Sequence, residues 1–319
     1  MRLSTIITAY NYARFLPAAI ESVLAQTLLP DEIVVVDDGS TDNTREIVAR
    51  YASQGVRYLY KENGGAGSAR NHGILNTSGD LIAFLDGDDR WLPNKIALQV
   101  AHIEQNPGVG LVTGSEWQVY EAGTQPYLLR RSPLPSRSIY PHILVENTIG
   151  NPSLTLVRRE CFNTVGLFEE TMPLGQDWDM WIRIAHRYPI GCLAEPLILF
   201  TRHSTSLTSG KLMERYNSNL RIQSRYISRI SNPITRAQLL MSARSMNYYY
   251  TAAALADDPT SNHKGRAFRM ALASALLNPA HETRNKAGLL LRIALPGRIF
   301  KQIRQIRRRV PVVGEHTPS

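Results

Sequence analysis

Four short apolar runs, each leading into a helical pattern, restrict what this chain can fold into more than any other feature. Leu3–Thr8, Glu32–Val36, Val56–Tyr60 and Leu81–Leu85 have the length and apolar content of strands. Between them, helical spacings cover Phe15–Gln26, Asn43–Tyr51, and the stretch from the loop Asn63-Gly64-Gly65-Ala66-Gly67 to Leu75. Asn43 with Glu46 three residues on has the pattern of an N-cap and its reciprocal partner. Pro93 suits the first turn of a further helix that reaches Gln105. Strands joined by helical crossovers pair in parallel, so the expectation is an α/β fold: a Rossmann-like, mostly parallel sheet with helices on both faces.

Beyond Gly110 the pattern weakens into a strand at Leu111–Tyr120 and Pro/Ser-rich loops. It resumes with a helix from Gln176 to Arg187 and a strand at Pro196–Phe200. After Gly210 strand signals vanish, and apolar spacings of three and four predict stacked helical hairpins. The charge divides at the same place. Residues 210–319 carry 19 Lys and Arg against 5 Asp and Glu, whereas residues 1–209 carry 17 against 22. Two domains are expected: 1–209, holding the sheet, and 210–319, a basic helical region.

Two cysteines, Cys161 and Cys192, are too few for a disulfide scaffold and have no metal-binding spacing. The N-terminus enters a strand at once, without the pattern of a signal peptide, and no apolar run is long enough to span a bilayer. The expected location is the cytoplasm, with peripheral attachment at the inner face of the membrane if the C-terminal region binds lipid.

Polar clusters fall at the carboxyl ends of three of the strands, where open α/β sheets form their ligand crevice. They are Thr8-Ala9-Tyr10-Asn11, Asp37-Asp38-Gly39-Ser40-Thr41-Asp42 and Asp86-Gly87-Asp88-Asp89. Each alone reads equally well as a turn. Together on one sheet edge they read as a site for a hard divalent cation and a diphosphate. A calcium-binding EF-hand is excluded, because Trp91 and Ala97 stand where its loop needs Gly and Glu.

These segments, with Gly67-Ser68-Ala69-Arg70-Asn71 and Gln176-Asp177-Trp178-Asp179-Met180-Trp181-Ile182-Arg183, resemble the family 2 glycosyltransferases, whose nucleotide-sugar-binding fold is called GT-A. The resemblance runs in order over about the first two-thirds of the chain. It implies a nucleotide-diphosphate sugar as donor, Mg²⁺ or Mn²⁺ as cofactor, and inversion at the anomeric carbon. It implies that Thr8, Tyr10 and Asp38 contact the base and ribose; a carboxylate accepting an imide N–H would favour UDP or dTDP. Asp86 is implied on the ribose side and Asp88 on the metal, with Asp89 able to share that role. His203 completes the metal shell in the family, but here Thr201 replaces a common basic neighbour, and His203 reads equally as structural.

Asp177 is implied as the base that activates an acceptor hydroxyl. Its alternative is an N-cap. Asp179 and Arg183, four apart on one helix, read as an ion pair. Gly65 would let backbone amides approach the donor, and Arg70 would either brace the site or pair structurally. The segment 298–310 is a basic amphipathic helix that either lies on an anionic membrane or packs on the preceding hairpins. A saccharide or lipid-linked acceptor is expected, as in polysaccharide or glycoconjugate assembly, and no nucleic acid, since no recognition motif accompanies the charge. Two rivals remain: a nucleotidyltransferase, which would not need Asp177, and a non-catalytic nucleotide-sugar-binding module, which would bind donor without turnover.

Overall fold

The structure, a computed structural model, describes residues 1–120, 127–129, 139–203, 211–257, 264–278 and 283–294. The chain separates into two compact units, Met1–Lys211 and Leu212–Ser319.

In the first unit the elements alternate: β1 Leu3–Ala9, α1 Leu16–Leu24, β2 Glu32–Asp37, α2 Thr44–Ala49, β3 Val56–Tyr60, α3 Gly65–Leu75 and β4 Leu81–Asp86. There follow β5 Arg90–Trp91, α4 Lys95–Gln105, β6 Leu111–Tyr120, β7 Tyr127–Leu129, β8 Leu156–Arg158, α5 Arg159–Val165, α6 Gln176–Ala185 and β9 Ile190–Arg202. One sheet runs β3-β2-β1-β4-β8-β6-β9-β5, with β7 on β6.

The first four strands pair in parallel. Past β4 antiparallel pairings join the parallel ones and the sheet becomes mixed. The short β8 is antiparallel to both β4 and β6, and β9 is parallel to β6 but antiparallel to β5. β9 is also longer than the expected Pro196–Phe200, because it follows β6 through two register shifts.

Alternation along the strands feeds two apolar layers. Leu3 and Ile7 of β1 and Leu81, Ala83 and Leu85 of β4 pack with α1, α2 and α4. On the other face Phe84 meets Phe162 and Phe168 edge-on, with ring centroids 6.0 and 5.6 Å away, and Phe168 meets Trp181 of α6. Burial on both faces explains why Leu81–Leu85 reads as an unbroken apolar run.

The expected Asn43 cap is not made. Asp42 takes its place, accepting from the Thr44 amide at 3.1 Å and the Thr44 hydroxyl at 2.6 Å. Pro93 lies just outside α4, ahead of the N-cap position at Asn94.

The second unit holds α7 Leu212–Ile227, α8 Pro233–Asp257, α9 Lys264–Leu277 and α10 Thr283–Ala294. A buried Lys286 ties it together, donating to the Ser245 hydroxyl at 2.8 Å and the Asn278 carbonyl at 2.7 Å. Among the described residues no helix is long and apolar enough to cross a membrane.

The backbone of α3 lies so close to β1 that a Cβ on Gly73 would overlap the Ile6 side chain. Gly73→Ala should therefore lower stability by about 1–3 kcal/mol through overpacking, although alanine favours a helix by about 1 kcal/mol. A lower denaturation midpoint with unchanged m-value checks it; a rise would mean that the helix can withdraw from the sheet.

Candidate active site

Parallel register gathers the first polar clusters on one edge. Thr8 pairs with Asp86 of β4 and with Val36 of β2, and Ala9 pairs with Asp37. Asn11 then turns the chain in the left-handed region, with φ 55°. Its side-chain oxygen accepts from the Thr41 amide at 2.8 Å, and its own amide donates to the Ser40 hydroxyl at 2.9 Å. The loops after β1 and β2 are thereby clasped together.

Asp37 and Asp38, adjacent in sequence, do different things. Asp37 accepts from the Tyr58 hydroxyl at 2.7 Å and the Ser40 amide at 2.8 Å, which fixes its own turn. Asp38 is buried. Its Oδ1 accepts from Lys61 Nζ at 2.7 Å and the Gly64 amide at 2.9 Å, and its Oδ2 accepts from the Gly65 amide at 2.8 Å. A carboxylate has about four accepting positions, so one remains, on Oδ2. The amides of Gly64 and Gly65 are engaged by Asp38. Tyr10 stands at the mouth, 47% exposed.

Each carboxylate of the Asp86 turn has its own partners. Asp86 Oδ1 accepts from Arg70 Nη2 at 2.6 Å and from the Thr8 hydroxyl at 3.1 Å. Arg70 is buried, and its Nε and Nη1 have no hydrogen-bond partner. Asp88 Oδ2 lies 2.9 Å from His203 Nε2, and Asp88 also accepts from the Tyr12 phenol. His203 is buried between aromatic rings, with centroids 4.5 Å from Phe15 and 5.7 Å from Tyr12. Burial, then the charge of Asp86, holds the Asp88 carboxyl above the usual range. Burial and the charges of Asp88 and Asp86 push the Tyr12 phenol far up as well.

Asp89 is the most buried of the three, at 1% exposure. Its Oδ2 accepts from the Ser153 hydroxyl at 2.6 Å and its Oδ1 from the Thr201 amide at 3.0 Å. Both Asp89 oxygens have protein partners, and through the Thr201 amide Asp89 ties β9 to the turn.

At the head of α6, Gly175 occupies the N-cap position and Asp177 the second helical residue. The Asp177 carboxylate is met by the amides of its own residue and of Trp178, and by Asn147 Nδ2 at 3.4 Å. Burial raises its pKa, opposed first by the charge of Arg70, while the charge of Asp86 adds to the rise. Asp177 therefore stands within electrostatic reach of the Arg70–Asp86 pair. Asp179 instead pairs with Arg183 at 2.9 Å.

Among the described residues no three His, Cys, Asp or Glu side chains form a closed metal cage. Asp88 and His203 nonetheless bring one oxygen and one nitrogen together, a donor set suited to a cation that takes its remaining ligands from phosphate and water. Lys61, Tyr12, Asn147 and Ser153 also belong to this edge, although sequence reading missed them. Only Lys61 carried a signal, as a cation at the end of β3, the strand beside the Asp37-Asp38 pair.

The profile described as "Glycosyl transferase family 2" matches residues 4–166. An uncharacterised glycosyltransferase of Rickettsia conorii is 36% identical over 216 residues, covering 66% of this chain but only 35% of that relative's length. Escherichia coli WfgD, a UDP-Glc:alpha-D-GlcNAc-diphosphoundecaprenol beta-1,3-glucosyltransferase, is 31% identical over 183 residues, covering 57% of this chain and 69% of WfgD. Among solved structures, S. aureus TarS 1–349 in complex with UDP-GlcNAc superposes with a TM-score of 0.66 at 18% identity, covering 97% of this chain and 92% of that one. At that identity the likeness is one of fold, a GT-A α/β core with a helical C-terminal region.

Ser153 bridges the Asp86 turn, since its hydroxyl also accepts from the Asp86 amide at 3.0 Å. Ser153→Ala should cost about 1–3 kcal/mol by leaving buried groups of Asp86 and Asp89 unpaired. Equilibrium unfolding measures this, and Ser153→Thr, which keeps the hydroxyl, should recover part of the loss. Full stability in the alanine variant would show that the turn is held by other contacts.

Proposed function

The chain belongs to glycosyl transferase family 2, and we propose that it transfers a sugar, with inversion, from a nucleoside diphosphate to an acceptor hydroxyl. The observation that carries this reading is the position of Asp86. Its charge acts both on Asp88, on the side where a diphosphate would lie, and on Asp177, on the acceptor side. A phosphate ligand and a base around one residue suit a single displacement.

In this reading Asp177 takes the proton of the acceptor hydroxyl as its oxygen attacks the anomeric carbon from the face opposite the diphosphate. The C–O bond to the diphosphate breaks and the nucleoside diphosphate leaves. Its developing charge falls in the field of the Arg70 guanidinium, which Asp86 holds in place and whose Nε and Nη1 are buried without a hydrogen-bond partner. Asp88 and His203 would hold Mg²⁺ or Mn²⁺, which when bound supplies charge stabilisation worth several kcal/mol to the diphosphate. Asp86 Oδ2 is the atom left for a ribose hydroxyl.

The one accepting position left on Asp38 suits the single imide N–H of uracil or thymine. Guanine presents N1–H and an amine side by side, so UDP or dTDP is the proposed carrier. The UDP-linked donors named for WfgD and TarS support this choice. The lipid-linked acceptor of WfgD supports a saccharide or lipid-linked acceptor here, met at the inner face of a membrane. The basic segment 298–310, proposed to reach that membrane, lies outside the described residues.

Asp88→Ala should fold normally and lose metal-dependent donor affinity. Calorimetric titration of UDP with and without Mn²⁺ tests this; unchanged Mn²⁺-dependent binding would remove Asp88 from the metal site.

Asp177→Asn separates chemistry from stability. Transfer should fall by a factor of about 10² to 10⁴ while UDP affinity is retained. Because the folded-state pKa of Asp177 is raised, folding takes up a proton as pH falls through the window from that pKa to the unfolded value. At neutral pH the ionised carboxylate therefore costs stability, and Asp177→Asn should unfold at an equal or higher temperature, with the difference closing on acidification. Wild-type kcat should decline on acidification above the ordinary carboxylate range. Transfer within a few-fold of wild type in Asp177→Asn would place the base elsewhere.

A further inference from the structure

In the second unit, α9 is built the wrong way round for a helix in water. Its inward face is made of small residues: Ala267 and Ser274 are fully buried and Ala271 is 1% exposed. Three of its large apolar residues point outward at a spacing of four, with Phe268 38%, Leu272 42% and Leu276 74% exposed, while Met270 packs inward. An ordinary surface helix places its large apolar side chains on the core stripe. The outer row is flanked at the start of the helix by Lys264, Arg266 and Arg269, all exposed. Met213 of α7, 37% exposed, meets the Arg266 guanidinium at 3.5 Å and extends the apolar surface.

We propose that this outer face of α9 is a membrane-docking surface for an anionic bilayer, with Phe268, Leu272 and Leu276 entering the acyl boundary and Lys264, Arg266 and Arg269 meeting the headgroups. Charge selects the occupant. Among the side chains described in this unit Glu214 alone is acidic, while α7, α8 and α9 each present exposed arginines. A protein partner covering the row would have to be apolar and acidic at once. An anionic bilayer has both properties over its whole surface, and a helix of this pattern lies in its interface. The inference deepens the proposal of a membrane-bound acceptor and gives the contact to described residues instead of to 298–310.

The test uses the full chain and vesicles of phosphatidylcholine with or without phosphatidylglycerol, scored by co-sedimentation. The triple substitution Phe268→Ser, Leu272→Ser, Leu276→Ser alters exposed positions only, and its melting temperature is measured alongside. Binding to anionic vesicles should fall by about tenfold or more, and Lys264→Glu with Arg266→Glu and Arg269→Glu should do the same, with wild-type binding weakened by salt. Deletion of 298–319 is run in parallel. Vesicle binding lost on that deletion but kept in both triple variants would overturn the α9 surface and leave the 298–310 reading standing. Loss in the triple variants alone supports α9 and removes the segment. If the serine variant instead breaks up a self-associated species and binds vesicles as wild type does, the row is an interface between copies and the inference fails.

Discussion

Three carboxylates within four residues cannot share a partly buried turn unless each is neutralised differently. The fold divides the task among elements distant in sequence: Arg70 from α3 and Thr8 from β1 hold Asp86, His203 after β9 and Tyr12 after β1 hold Asp88, and Ser153 with the Thr201 amide holds Asp89. Like charges at such range raise one another's pKa, and burial adds to the effect. Burial and the charges of its two neighbours hold the Asp89 carboxyl well above the usual range, and burial with the charge of Asp86 raises Asp88 as well. A cation arriving beside Asp88 would relieve repulsion that the protein's own partners leave standing.

The donor side of the sheet was legible because its signals are local. Apolar runs such as Ile33–Val36 and Leu81–Leu85 identify strands buried on both sides, and the polar residues at their ends show which edge is open. Val56–Tyr60 and Leu111–Tyr120 have the bounds that the pattern predicted. What could not be read depends on pairing. β8 has only three residues, and its antiparallel setting between β4 and β6 turns the sheet mixed without altering any local pattern.

The same limit applies to the side chains. Asp88 and Asp89 are chemically identical neighbours, and only the arrival of Ser153 and Thr201 from far along the chain distinguishes them. Ser153 itself has no signature, for it sits in a Pro/Ser-containing loop like many others. Asn43 and Asp42 were both competent caps, and a shift of one residue decided between them. α9 had correct helical spacing, but spacing does not say which stripe faces inward.

The groups proposed to grip the donor all come from the first ninety residues, apart from His203, whereas Asp177 and Asn147 come from a later stretch joined to them through Ser153. Such a chain is divisible in evolution. Recombination within the later stretch can change which hydroxyl is presented to Asp177 while the nucleotide grip passes down intact, provided a hydroxyl survives at Ser153. Descendants of one ancestor would then diversify their acceptors quickly and their carrier nucleotide slowly, with His203 as the one grip residue that such an exchange has to preserve.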